Sequence, residues 1–474
     1  MSPIEAGGPS PEDMGLIPKE SDSDKKDSVQ EQLDTQWYDR FEQIGSFEAY
    51  EYLVGDKNYR DEEKRKFETG EIENPVLDYP KIDTQKLSTN ESQLLELKNE
   101  IIDQEMNDTV KQTYRWKINE KIAEIRLLRA AATGDMKWFN RWSKFVFGSP
   151  SPEVFAYTIQ SLQKTVAESL GSDNEQIRKA AEELQPLLPS TLSTVEAKEL
   201  PSEETVKQVR EVTLAEFRDL IEIPEIEGGV EAKEIQQIFE QALAKLKAEG
   251  WRVTLVEGKI GINVDQENKT VKIPHDRKVP FKKLQGLIAH ELGTHVARRL
   301  NGERSKLKLL GLGLDRSEKA EEGVATMREK AIRGQVDEFL GLDGHLGISL
   351  AQGLDGTPRD FRQVYTFLEK FYQLRVLLKP DEGYKDARTE AWNRTVRTFR
   401  GTDCKTPGAC FTKDIIYQEG NIAMWDLIKT NPNELMRLSI GTYDPANERH
   451  IWILGQLGIT DTDLAKDPLQ TKQT

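Results

Sequence analysis

The sequence predicts an α+β protein, mostly helical, with one small antiparallel sheet. Three observations carry this. Apolar residues recur at the three-and-four spacing of amphipathic helices, as at Leu94, Leu97, Ile101 and Ile102 and again at Ile118, Ile122, Ile125 and Leu128. A β-branched alternation is confined to residues 251–255, 259–264 and 270–273, separated by Glu257-Gly258 and by residues 265–269, which reads as a short meander. With 37% hydrophobic and 31% charged residues over 474 positions, the chain can bury a sizeable core but keeps a polar remainder.

In chain order, residues 1–30 are rich in Pro, Gly, Ser and Asp and nearly free of aromatics, so a disordered tail is expected there. Helical spacing begins at Trp37, Tyr38 and Phe41, and Asn74-Pro75 to Tyr79-Pro80 marks an extended segment. The two amphipathic helices above follow, as bundle core. Trp138, Phe139, Trp142, Phe145 and Phe147 form an aromatic cluster read as core packing, and Gly148-Ser149-Pro150-Ser151-Pro152 stops one helix and starts the next. Residues 187–204, with Pro189, Ser190, Thr191, Ser193, Thr194 and Pro201, read as a seam between a helical N-terminal domain (31–200) and a C-terminal domain (201–474). Beyond the sheet, a helix runs to Leu300 and ends at Asn301-Gly302, and Asp315-Arg316-Ser317-Glu318 opens the next as a capping box with Asp as the cap. More helices continue to about Gly458.

Composition also excludes partners. The balance of 66 basic against 82 acidic residues, a net charge of -16, argues against a nucleic-acid backbone. No apolar run is long enough for a membrane span, and the first residues lack a basic and apolar leader, so a cytoplasmic location and no membrane partner are expected. Two cysteines, Cys404 and Cys410, make no disulfide framework and read as ordinary thiols.

Of five histidines, two fall within His290-Glu291-Leu292-Gly293-Thr294-His295. Neutral imidazoles suit zinc, and a carboxylate beside them can take a proton from a water whose pKa the metal lowers to about 7. The spacing is unusual. On a regular helix, five residues set the rings about 140° apart, against about 40° in His-Glu-x-x-His. A π-bulge would restore a common face, and Gly293 makes that distortion cheaper. By themselves the residues leave a metal site and a pair of buried structural histidines both open. A third ligand is sought on the next helix, where Glu321 and Glu322 stand side by side and Ala320, Gly323 and Ala325 allow a neighbouring helix to approach closely; Glu318 is better explained by capping. His345 and His450 read as loop or packing histidines.

The strings Leu287-Ile288-Ala289-His290-Glu291-Leu292-Gly293-Thr294-His295, Arg298, Asn301-Gly302, Glu321-Glu322-Gly323-Val324-Ala325, Phe399-Arg400-Gly401 and Phe411-Thr412-Lys413-Asp414 resemble the tyrosine/phenylalanine carboxypeptidase family, whose animal members include the microtubule-associated tyrosine carboxypeptidases. The resemblance runs from about Trp37 to Gly458. It implies a zincin-like catalytic domain over 201–474 with one zinc per chain, held by His290, His295 and Glu322, with Glu291 as general base. It also selects Glu322 over Glu321, a choice the residues alone leave open. Val324 stands where the family usually has Leu, which should alter packing more than ligation. The implied activity is removal of a C-terminal Tyr or Phe from a peptide or protein; the tubulin substrate belongs to eukaryotic members and does not transfer automatically.

An exopeptidase must hold the substrate's free carboxylate. Residues 271–310 carry ten Lys or Arg against three Asp or Glu, and Arg394, Arg397 and Arg400 form a second basic row, followed by Lys413 and Tyr417. A guanidinium grips a carboxylate through two bonds, and a tyrosine hydroxyl can donate to an oxyanion. Arg397, Arg400, Lys413 and Tyr417 are therefore the candidate substrate-binding residues. Arg400 is preferred because Gly401 lets the backbone turn, with Arg298 and Lys413 next in line. Two rivals are a zinc endopeptidase with the same core and a non-catalytic helical regulatory or scaffold protein.

Overall fold

The computed structural model describes residues 31–189, 198–226, 228–257, 261–334, 336–380 and 384–459. The expected tail over 1–30, positions 190–197 of the expected seam, Gly258 of the expected turn and Lys259 and Ile260 of the expected strand lie outside them. The N-terminal helices are α1 (Thr35–Gly45), α2 (Ala49–Tyr52), α3 (Lys57–Glu68), α4 (Thr84–Gln104), α5 (Asp108–Thr133), α6 (Met136–Phe147), α7 (Pro152–Leu170) and α8 (Glu175–Leu184). Their ends follow local chemistry. The Asp83 carboxylate caps α4 by accepting from the amides of Gln85 and Lys86, and Asn107 caps α5 in the same way. Gly148, at φ +92°, ends α6, and Ser151 then caps α7 with Pro152 in its first turn, as the sequence predicts. The aromatic cluster on α6 is only partly core: Phe139 is buried, while Trp138 and Phe145 are 42% and 38% exposed.

After α9 (Glu203–Ile221) come β1 (Gly229–Glu231), α10 (Ala232–Lys245), β2 (Arg252–Val256), β3 (Asn263–Asp265), β4 (Thr270–Pro274) and β5 (Lys278–Pro280). The expected meander is corrected. Strands run in the order β2-β4-β3, with β4 antiparallel to β3 but parallel to β2, pairing Arg252 with Thr270 and Val256 with Pro274. A separate antiparallel pair joins β1 to β5, so the described residues hold two small sheets rather than one. Alternation reports that a segment is a half-buried strand and carries no information on its neighbour. The tight link between β3 and β4 was readable; the longer one from β2 to β3 carries the chain to the far edge of β4.

The remaining elements are α11 (Phe281–Leu287), a π-turn (Ile288–Val296), α12 (Ala297–Arg304), α13 (Leu309–Leu312), α14 (Glu318–Arg333), α15 (Leu342–Gln352), α16 (Phe361–Leu378), α17 (Ala387–Phe399), α18 (Ile415–Thr430) and α19 (Glu448–Gln456). Two helix boundaries are corrected. Asn301 and Gly302 sit inside α12, because a Cβ at Gly302 would fall 2.2 Å from the Gly311 nitrogen: the glycine permits close backbone packing instead of ending the helix. Asp315 does not cap α14; it pairs with Arg449 at 2.5 Å, and Ser317 takes the cap position.

Among the described residues, three of the four buried apolar clusters mix side chains from both sides of residue 200. One, for example, joins Phe41, Leu94 and Tyr114 to Leu310, Tyr443 and Ile453. The fourth packs α9, α10 and the sheets onto α11 and the π-turn. No helix among the described residues is long and apolar enough to cross a membrane.

Candidate active site

The π-turn carries His290, Glu291 and His295. Its widened pitch brings residues five apart over one another, and the two imidazole centroids lie 5.1 Å apart. Two contacts satisfy groups that the wider turn leaves over. Thr294 Oγ1 donates to the Ala289 carbonyl at 2.9 Å, and Arg328 of α14 donates from Nη1 to the Gly293 carbonyl at 2.7 Å. A Cβ at Gly293 would approach the Phe217 ring to 3.3 Å, so glycine also gives α9 room to pack.

Helix α14 faces this turn with Glu321, Glu322 and Glu329. It is held close to α18, where a Cβ at Gly323 would fall 2.4 Å from the Gly420 carbonyl oxygen, the close approach expected from the small residues around Glu322. Glu322 Oε2 lies 3.7 Å from His290 Nε2 and 4.0 Å from His295 Nε2, and the donor atoms of the three residues all lie within 4.8 Å of one another. Tetrahedral ligation at about 2.1 Å sets donors about 3.4 Å apart, close to these separations. Glu322 Oε2 is also buried without a hydrogen bond, a costly state for a carboxylate oxygen. The histidines differ in a telling way from the others. His345 bonds Glu419 through Nε2 and Ser349 through Nδ1, and His450 likewise uses both ring nitrogens, as buried packing residues on helices. His290 and His295 each use only Nδ1, toward Glu329 at 3.1 Å and Glu321 at 3.0 Å. Two free imidazole nitrogens and an orphaned carboxylate oxygen thus converge, a donor set suited to zinc.

The cluster is strongly negative. Burial opposes protonation of His290, yet the bond to Glu329 and the charges of Glu291, Glu329 and Glu322 outweigh it and hold the imidazole up to about 10. Burial raises Glu291 and Glu322, while the neighbouring histidines oppose the rise. Glu291 makes no hydrogen bond or ion pair with a described residue, and it lines a cavity of about 1470 Å³ shared with the two histidines and Glu322.

Arg397, Arg400, Lys413 and Tyr417 line the same cavity. Asp414 binds Arg397 through two bonds, of 2.7 and 2.9 Å, and also takes Arg394, which pairs with Asp343 as well. Lys413 is buried in an ion pair with Glu318, the residue first read as a capping acid, and lies 4.3 Å from the Tyr50 ring centroid. Arg400 differs: its guanidinium lies over the Phe411 ring at 5.8 Å and makes no hydrogen bond or ion pair with a described residue. Burial, reinforced by Arg397, pushes it down to about 10, so it remains charged at neutral pH. Gly401 has φ +80°, in keeping with the turn expected there. Tyr417 is pushed well above its ordinary pKa by burial and by Glu322, so its hydroxyl keeps its proton to donate. The basic island of 271–310 is largely spent on structure: Arg298 pairs with Glu321, Arg299 with Glu42 and Glu303, and Lys272 with Asp265 and Glu51.

The structure adds residues that no motif marks. Glu48 and Tyr50 of the N-terminal part also form the cavity wall, and Glu48 helps to raise Glu322.

A sequence profile of the microtubule-associated tyrosine carboxypeptidases matches residues 203–337 and 360–461, half of the chain. The chain belongs to that family. Microtubule-associated tyrosine carboxypeptidase 1 of mouse is 33% identical over 142 residues, and its human counterpart 32% over the same length. Each alignment covers 29% of this chain and 26% of the relative, so the chain matches about a quarter of the length of these curated relatives. The His290–His295 turn, Glu322 and the Arg394–Arg400 row all fall inside the family profile, whereas Glu48 and Tyr50 lie outside it.

Proposed function

We propose that this protein is a zinc carboxypeptidase that removes a C-terminal Tyr or Phe from a peptide or protein, with a zincin-like catalytic centre. The observation that carries the reading is the buried, unpartnered Glu322 Oε2 facing the free Nε2 atoms of both histidines. His290, His295 and Glu322 would hold one zinc ion per chain. When bound, it would supply a Lewis acid that polarises the scissile carbonyl and acidifies the attacking water. Glu291, lining the cavity beside these ligands, takes the proton from that water and returns it to the leaving amine. A scaffold protein would have no use for a buried carboxylate left unpaired at this position.

Arg400 supports an exopeptidase over an endopeptidase. It is a charged guanidinium that makes no hydrogen bond or ion pair with a described acid, in the same cavity, where a substrate's terminal carboxylate can take two of its donors. Tyr417 donates to the developing oxyanion. The tyrosine preference is taken from the family to which the chain belongs. The test is a panel of peptides differing only in the last residue, incubated with zinc-loaded protein and followed by mass spectrometry. Loss of one residue from Tyr-ended and Phe-ended peptides is expected. Internal cleavage, or equal trimming of a Gly-ended peptide, would overturn the assignment.

A further inference from the structure

The second nitrogens of His290 and His295 lead to two carboxylates on one helix, and those carboxylates are held unequally. Glu321 Oε1 accepts from His295 Nδ1 at 3.0 Å, while its Oε2 accepts from Arg298. Arg298, fully buried and three residues beyond His295, also donates from Nε to the Gly441 carbonyl at 2.9 Å and from Nη2 to the Tyr443 carbonyl at 3.1 Å. Glu329 accepts from His290 Nδ1 at 3.1 Å, but its other supports are the charges of Arg333, 3.6 Å away and 27% exposed, and of Lys283.

A carboxylate has no proton to give in these bonds, so each imidazole carries its own on Nδ1. With Nδ1 so engaged, Nε2, on the side of Glu322 Oε2, is the nitrogen each ring has left to offer a metal. We propose that Glu321, fixed by Arg298, and Glu329 are positioning residues that set how tightly the chain holds its metal, with the Arg298–Glu321 pair carrying the larger share. The inference rests on His290, His295 and Glu322 being the zinc ligands. The unequal share follows from donor counting. An amide at 321 cannot serve both neighbours: with its oxygen toward Arg298, its NH₂ group faces another donor, the His295 Nδ1–H. At 329 an amide can keep its oxygen on His290 and turn its NH₂ away, because Arg333 is not within hydrogen-bond distance. Behind Glu321, a lysine at 298 keeps the charge but cannot reach the acid and both carbonyls with one fork.

Zinc affinity of the full chain, measured with Zn²⁺ and a competing chelator and no substrate, tests this without reference to activity. Glu321→Gln should weaken binding about tenfold to a hundredfold, and Glu329→Gln by less than about tenfold. Arg298→Lys should also weaken it, and the Arg298→Lys/Glu321→Gln double variant should bind no worse than Glu321→Gln alone, since both act through one contact. Melting curves of the metal-free proteins should coincide for Glu329→Gln and wild type, so that a loss of about twofold to tenfold in that variant reports metal affinity and not folding, and its absence counts against the inference even if the buried Arg298 site tolerates no change. Wild-type affinity in both Glu321→Gln and Glu329→Gln, when wild type binds zinc and His295→Ala does not, overturns this inference alone. Absence of zinc affinity in wild type overturns the metal reading and this inference with it.

Discussion

The histidine–glutamate cluster and the arginine row line one cavity, yet they are balanced in opposite senses. Around the two histidines stand Glu291, Glu321, Glu322 and Glu329. Arg298 and His295 engage Glu321, and His290 engages Glu329, which leaves Glu291 and one oxygen of Glu322 without a hydrogen bond among the described residues. In the arginine row, Asp343 and Asp414 take up Arg394 and Arg397, and Arg400 is left over. One cluster carries surplus negative charge and the other surplus positive charge. The same chain thus holds His290 up to about 10 through its acidic neighbours and against burial, and pushes Arg400 down to about 10 chiefly through burial, with Arg397 adding to it. Because a buried polar group without a partner is costly, the groups left over are where the proposed ligands would bind: a cation at the first cluster, a carboxylate at the second.

Breaking the first cluster should have the largest effect. Replacing His295 by Ala leaves two protein ligands and should strip nearly all metal from the purified protein, as metal analysis would show. Glu291→Gln should retain the metal and fold but lower kcat on a Tyr-ended peptide by about 10² to 10⁴, since an amide cannot accept the proton. A His295→Ala protein with full zinc, or a Glu291→Gln protein with wild-type kcat, would end the comparison on the metal side. Breaking the second cluster should cost less and do so selectively. Arg400→Ala should lower kcat/KM for a free-acid peptide by about 30-fold to 1000-fold, through loss of a charge-assisted contact, with zinc content unchanged and the amidated peptide little affected. Arg397→Ala should discriminate less between the two peptides, because Asp414 already occupies that guanidinium. If Arg397→Ala narrows the gap between free-acid and amidated substrates and Arg400→Ala does not, the free charge is not the one that reads the substrate.

The two clusters were not equally legible in the sequence. If the two histidines are to share one face, a five-residue spacing with Gly293 inside it needs a π-turn, and the π-turn is there. Arg400 could be preferred over Arg397 from the glycine that follows it. The order of Glu321 and Glu322 could not be read, because neighbouring residues differ by a helix rotation that only packing against α18 and the π-turn sets. Glu329 was missed for a related reason. It lies seven residues, two turns, beyond Glu322 on the same face, and that spacing was the available signal, but the local string Arg328-Glu329-Lys330 looks like a solvated face. Contacts from far along the chain were beyond reach: Arg449 takes Asp315 away from the cap of α14, and β4 pairs with a strand to which no turn connects it. Local rules fix turns and caps until a distant residue offers a better bond.

The smallest expected effect concerns Glu419, on the element that joins the two clusters. It lies two residues beyond Tyr417 and one before Gly420, where α18 meets α14. Its Oε1 accepts from the Ser151 amide at 2.8 Å and from His345 at 3.1 Å, and its Oε2 from Lys319 at 2.9 Å. Burial alone would raise its pKa; the His345 bond and then the Lys319 charge outweigh burial and bring it down to about 2, from a model-peptide value of 4.5. A carboxyl group whose pKa is depressed by folding contributes stability that is fully present above its unfolded value and disappears as pH falls through the folded one. The contribution should therefore be constant from pH 7 to about 5 and fade between about 4.5 and 2. Glu419→Gln removes the titrating charge while keeping the shape. It should lower the melting temperature at pH 7 and make the further loss between pH 5 and 3 shallower than in wild type. Both proteins should be measured with chelator present, so that metal release on acidification does not enter the comparison. Parallel melting curves across that range would show that Glu419 contributes no pH-dependent stability, and the joint between α18 and α14 would then rest on the close glycine packing of Gly323 and Gly420, the Asn421–Thr326 hydrogen bond and the apolar side chains that the two helices share.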